Sequence, residues 1–198
     1  MVSVQLRRLT GDDITSAANL LGVVYRDNPI MVALLGDDPA RRVRIGTEMQ
    51  FIRLLAMKNA VVATREGELV GVYGQETPTD SPMSPELQQR MGRLVSEAGL
   101  ASRFQEMLVG FSANTPPGPK WKLGPVGVGV ALQGGGIGSQ MIQHFCEQVD
   151  ALGASSSLDT DQPHLVRLYQ RFGFEVAAEA PVLGVPFWFM ARPAKKGD

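Results

Sequence analysis

Apolar and polar residues alternate at the start of the chain, so residues 2–9 read as a strand with Val2, Val4 and Leu6 on one face. Thr10-Gly11-Asp12-Asp13 has the form of a capping box, a Thr hydroxyl and an Asp each serving the other's amide. A helix follows over residues 14–25, with Ala17, Leu20, Leu21 and Val24 on its apolar stripe. Asp27-Asn28-Pro29 breaks it. A second helix is predicted over 40–58, with Val43, Met49, Ile52 and Leu55 among its apolar positions. Residues 60–65 and 68–75, joined by Glu66-Gly67, predict a hairpin. Helical patterns at 86–97 and 100–111 lie between a Pro-rich stretch, 77–85, and a breaker, 114–120. A strand over 121–132 then leads through glycines to a helix over 139–152. A strand at 155–158, a helix at 163–172 and closing strands at 174–178 and 186–192 complete the pattern. The chain reads as one domain, 1–193, with a polar tail, 194–198. This order predicts an α/β or α+β fold with a mixed sheet.

At 198 residues the chain can bury a core without staples. Nineteen basic and 20 acidic residues leave a formal net charge of −1, so no nucleic acid partner is expected. Arg41, Arg42, Arg44 and the tail Lys195-Lys196 are read as solvated surface. The single cysteine, Cys146, cannot form an internal disulfide and suits a reducing, cytoplasmic setting. No signal-peptide pattern opens the chain, and no run of about 18 apolar residues predicts a membrane span. His144, His164 and Cys146 lack zinc-ligand spacing, so no metal is expected. Cys146, among Met141, Ile142, Phe145 and Val149, is expected to be a buried, inert thiol, and His144 a surface residue.

Residues 134–138 hold four glycines in five positions, between an apolar strand and a helix. Such a turn can approach a phosphate closely and present unpaired helix amides to it. The dinucleotide fingerprint G-x-G-x-x-G fails in both registers, since Ser139 and Leu132 fall where the last Gly belongs. A Walker A loop fails because no Lys follows these glycines.

Gln133-Gly134-Gly135-Gly136-Ile137-Gly138 matches the Q/R-x-x-G-x-G/A signature of the GNAT N-acetyltransferase superfamily. The preceding strand also resembles that family, as does Leu168-Tyr169-Gln-Arg-Phe-Gly173-Phe174, which resembles its L-Y-x-x-x-G-F motif. The chain looks most like bacterial, antibiotic-acetylating members of the puromycin-acetyltransferase type. The resemblance implies a mixed, mainly antiparallel sheet with splayed central strands. It implies acetyl-CoA as co-substrate, its pantetheine arm paired to Val128 and Val130 and its pyrophosphate wrapped by amides of Gln133, Gly134, Gly135, Gly136, Ile137, Gly138 and Ser139. Three consecutive glycines replace the usual G-basic-G, which removes a cationic side chain and leaves the amides.

The same resemblance makes Tyr169 the candidate general acid for the departing thiolate and the Val128 amide a polariser of the carbonyl. The family's Glu on the strand before the loop is missing. Asp159, Asp161 and His164 lie near the right end of the next strand, and the base is left open among them or a water chain to one of them; Asp159 is the candidate put forward, since capping the following helix is the simpler role for Asp161. Tyr25, Asp27, Asn28, Phe51, Glu76 and Trp188 are candidates to meet the acceptor, expected to be a small-molecule primary amine; Trp121 and Trp188 also suit the core. Apolar positions between Met83 and Phe111 are compatible with a homodimer.

Overall fold

The computed structural model describes residues 4–118 and 120–195. One sheet carries seven strands in the order β1-β2-β3-β4-β5-β7-β6. β1 (Gln5–Arg8), β2 (Asn59–Arg65), β3 (Glu68–Glu76) and β4 (Trp121–Val128) are antiparallel neighbours. β4 runs parallel to β5 (Ser156–Thr160), and β5 pairs antiparallel with β7 (Val185–Arg192), which pairs with β6 (Glu175–Val182). The helices are α1 (Ile14–Val24), α2 (Pro29–Leu35), α3 (Pro39–Ala56), α4 (Pro85–Glu97), α5 (Ala101–Asn114), α6 (Ile137–Ala151) and α7 (Pro163–Gln170). A mixed, mainly antiparallel sheet flanked by helices is the predicted class.

Side-chain alternation in β2 and β3 sorts the core onto two faces. Val62 and Val72 pack with Ala17, Ala18 and Leu21 of α1 and Leu54 of α3. Val61, Ala63 and Tyr73 join Met141, Phe145 and Val149 of α6 and Tyr169 of α7. Trp121 and Trp188 are half-buried against this second cluster. A third cluster ties α2 and α3 to α4 and α5 through Met31, Leu34, Ile45, Val95 and Leu100.

The predicted box at Thr10 is present: the Asp13 carboxylate accepts from Thr10 N and Oγ1 at 2.9 and 2.8 Å. Both Arg7 terminal nitrogens also donate to it, which holds the Asp13 carboxyl far below the usual range. Val4 and Leu6 pack inward as expected, while Val2 and Lys196 lie outside the described residues.

Three expectations change. Pro29 does not simply end α1. It occupies the first turn of α2, where a missing N–H costs nothing, and Asn28 is the N-cap. Arg42 is not solvated. It is buried and donates to the Arg26 and Gly36 carbonyls at 2.6 and 2.8 Å and to Asp27 at 3.0 Å. The ends of α1 and α2 leave carbonyls without helical partners, and one guanidinium satisfies both segments. Finally, β4 stops at Val128 rather than 132; Val130–Leu132 form a single 3-10 turn.

α1 and α3 cross at Gly22. A Cβ there would overlap the Thr47 side chain and lie 3.0 Å from its Cα, which cannot swing aside. Gly22→Ala should therefore lower stability by about 1–3 kcal/mol despite the better helix propensity of Ala. An unchanged urea midpoint would show that the crossing relaxes freely.

Candidate active site

Among the described residues, β4 and β5 pair only at Trp121 with Ser156 and Lys122 with Ser157. Beyond that point β4 is displaced by an irregularity against β3, between the pairs Gln75–Leu123 and Tyr73–Val126. The two central strands then part, and the β4 groups that would face a neighbour face a gap instead. The Tyr25 hydroxyl, at the end of α1, accepts from Val126 N at 2.9 Å and donates to Val126 O at 3.0 Å. Alternation turns the Val128 amide the same way. The Val128 carbonyl accepts from Gln133 Nε2 at 3.1 Å.

After Val128 the chain winds into the glycine loop. Val130 is exposed and lies in the 3-10 turn, outside the strand. Gln133 N and Gly135 N bond back to Val130 O and Leu132 O, each at 3.4 Å. Gly134 and Gly136 adopt φ of 78° and 89°, values that Cβ-bearing residues resist, and Gly136 is the N-cap of α6. The first intrahelical bond is Gln140 N to Gly136 O at 3.1 Å. Amides of Ile137, Gly138 and Ser139 therefore precede any helical partner. A Cβ at 134 would meet no atom within 4 Å, and one at 138 only Val128 Cγ2 at 3.8 Å. The loop is an open cradle of N–H donors at a helix N-terminus, and it fits a pyrophosphate.

Tyr169, in α7, is buried edge-on against Phe174, with ring centroids 6.1 Å apart. Burial pushes its pKa well above the ordinary value, and the nearby Tyr25 and Asp159 push the same way. Tyr25 rises to about 12, chiefly through burial. Asp159, in β5, is salt-bridged to Lys122 at 2.7 Å. Thus Tyr25, Tyr169 and Asp159 come together at the split, from α1, α7 and β5.

The other expectations fare differently. Asp161 caps α2 rather than α7: its buried carboxylate accepts from Ile30 N at 2.9 Å, and burial raises its pKa. Gln162 takes the N-cap position of α7, and His164 is exposed in its first turn. Asp27 is committed to Arg26 and Arg42, and Glu76 to Arg53. Arg90 stands over the Phe51 ring, 4.9 Å from its centroid. Cys146 is buried, as expected, and its thiol pKa is raised by that burial. His144 is not a free surface residue. Its Nδ1 lies 2.7 Å from the hydroxyl of Tyr73, which is fully buried and needs a polar partner. Among the described residues no group of three or more His, Cys, Asp or Glu could hold a metal ion, and no helix is long and apolar enough to cross a membrane.

Residues 38–174 match the sequence model of the acetyltransferase (GNAT) family. The chain belongs to that family. Similar folds include an acetyltransferase of the histone acetyltransferase HPA2 and related type from Corynebacterium glutamicum, 21% identical over 99% of each chain, with a TM-score of 0.77. A GNAT family acetyltransferase from Brucella melitensis, in complex with acetyl-CoA, is 18% identical over 99% of this chain and 90% of that one, with a TM-score of 0.53. A putative acetyltransferase from Salmonella typhimurium with acetyl-CoA is 14% identical over 100% and 97%, with a TM-score of 0.59.

Proposed function

We propose that the protein transfers an acetyl group directly from acetyl-CoA to a primary amine of a small molecule. The observation that carries this reading is the open edge of β4 leading into the amide-lined loop at the start of α6. Residues 1–193 are read as one acetyltransferase domain of the bacterial, antibiotic-acetylating, puromycin-acetyltransferase-like type, working in the cytoplasm. The pantetheine arm pairs along β4 at Val128, as an added strand would, and Val130 borders it from the 3-10 turn. Amides from Gly136 to Ser139 hold the pyrophosphate, with Gln133, Gly134 and Gly135 shaping the turn. Bound there, the thioester supplies the electrophilic carbonyl.

The Val128 N–H polarises that carbonyl. Tyr169 O–H donates its proton to the departing sulfur, so the thiolate leaves as a thiol. Asp159, directly or through a water, removes the proton from the attacking amine, and its salt bridge to Lys122 at 2.7 Å holds this carboxylate in place. The exposed Leu108 and Val109 of α5 offer the surface for a homodimer.

The test is thiol release from acetyl-CoA with a panel of small primary amines and a lysine peptide. Release with small amines supports the reading, and release with the peptide alone moves the acceptor to proteins. Tight acetyl-CoA binding without turnover on any amine would make the protein an acyl-CoA sensor. Within the site, Gly136→Val places a β-branched residue at φ 89°. It should weaken acetyl-CoA binding by on the order of tenfold or more through distortion of the amide cradle. Calorimetry giving wild-type affinity would remove the loop from the binding site.

A further inference from the structure

The Tyr25 hydroxyl does for Val126 what a neighbouring strand does elsewhere in the sheet. It satisfies the N–H at 2.9 Å and the C=O at 3.0 Å, both with one oxygen. A hydroxyl cannot continue along a strand, so this pairing ends where it begins. Counted from the glycine loop, Val128 comes first and Val126 lies one pleat deeper into the gap. The edge open to an incoming chain therefore runs from the loop to Val128 and is closed at Val126. Tyr25 reaches this point from the α1 side, where its ring packs against the α1–α3 and α2–α5 clusters, while Tyr169 belongs to the cluster on the opposite face. Arg53, Asp159 and Asp161 are charged groups whose fields reach the Tyr25 hydroxyl.

We propose that Tyr25 is the depth stop of the acyl site: its hydroxyl closes β4 at Val126 and restricts the transferable acyl group to acetyl size. This rests on the reading that acyl-CoA lies along β4. A longer acyl chain must displace the hydroxyl and leave the Val126 N–H and C=O without partners, a penalty that acetyl avoids. Tyr25 is here a specificity-determining and positioning residue; the proton to the thiolate still comes from Tyr169.

Binding of acetyl-CoA and butyryl-CoA, measured by calorimetry on the whole protein without acceptor, tests the stop. The wild type should bind acetyl-CoA about tenfold or more tightly than butyryl-CoA. Tyr25→Phe keeps the ring and its packing, and should bring the two affinities within about threefold by improving the butyryl value. Tyr25→Leu, which opens more space, should show at least the same narrowing. Hydrogen exchange at the Val126 amide should be slow in the free wild type and faster in Tyr25→Phe. Unchanged selectivity in both variants, with acetyl-CoA still bound, overturns the depth stop and leaves the assignment of the cleft standing. Failure of the wild type to bind either thioester overturns the assignment of the cleft and the stop with it.

Discussion

Tyr169→Phe is expected to lower kcat by on the order of 10²–10³-fold while acetyl-CoA affinity stays within about twofold of wild type. The substitution removes a single oxygen and no packed carbon, so little folding energy is at stake. The ring and its edge-on contact with Phe174 remain. Only the proton needed by the departing sulfur is lost. Because burial raises the phenol pKa, Tyr169 stays protonated across neutral pH. The variant's defect should then be nearly constant from about pH 6 to 9. Steady-state thiol release over that range, with calorimetric binding beside it, separates the outcomes. Equal kcat values would remove Tyr169 from the chemistry, and a parallel loss of affinity would mark it as structural.

What was legible in the sequence was local in chain distance. The glycine loop announces itself because a backbone reversal at positive φ, as at Gly134 and Gly136, needs residues without Cβ. Tyr169 was legible through its place in a short motif shared with a family, not through any property of tyrosine. The split of β4 and β5 was available only through that resemblance, since strand periodicity says nothing about where two paired strands part.

The missed features depend on contacts between distant residues. Tyr25 and Val126 are 101 positions apart, and Ile30 and Asp161 are 131 apart. Tyr25 stands out as an acceptor candidate and Asp161 as a residue near the site, but nothing local to either names the distant backbone group it pairs with. Arg42 was hidden in the same way, as one of three neighbouring arginines of which the fold buries it alone. α2 escaped because Pro29 both breaks a preceding helix and starts a following one. Likewise, the apolar pattern from Trp121 to Leu132 is continuous, and only the backbone shows the strand giving way to a turn at Val130.

Arg192→Met should cost about 2–3 kcal/mol of stability at neutral pH, below the range for an uncompensated buried charge, because Asp150 keeps Lys195 at 2.7 Å. Arg192 is the last residue of β7 and is 6% exposed. Its two terminal nitrogens meet the two Asp150 oxygens at 2.6 and 2.8 Å, and its Nε donates to Phe172 O at 2.8 Å. One guanidinium thus joins β7, the end of α6 and the turn after α7. Arg192, with help from Lys195, holds the Asp150 carboxyl at about 2. A depressed carboxylate contributes stability above its unfolded value of about 3.9, and that contribution fades as pH falls through the folded value. The gap between wild type and variant should therefore be largest above about pH 5 and narrow toward pH 2. Urea titrations at several pH values check both size and direction. Adding Asp150→Asn to Arg192→Met should restore part of the loss by removing a charge that has lost its buried partner and keeps only the exposed Lys195. A variant within about 0.5 kcal/mol of wild type would mean the clamp is worth no more than a surface pair. Phe172 N also donates to Tyr169 O at 2.9 Å, so the clamp and the candidate acid share one turn of chain. A fall in kcat at a temperature where Arg192→Met remains fully folded would show that the clamp also places the Tyr169 hydroxyl.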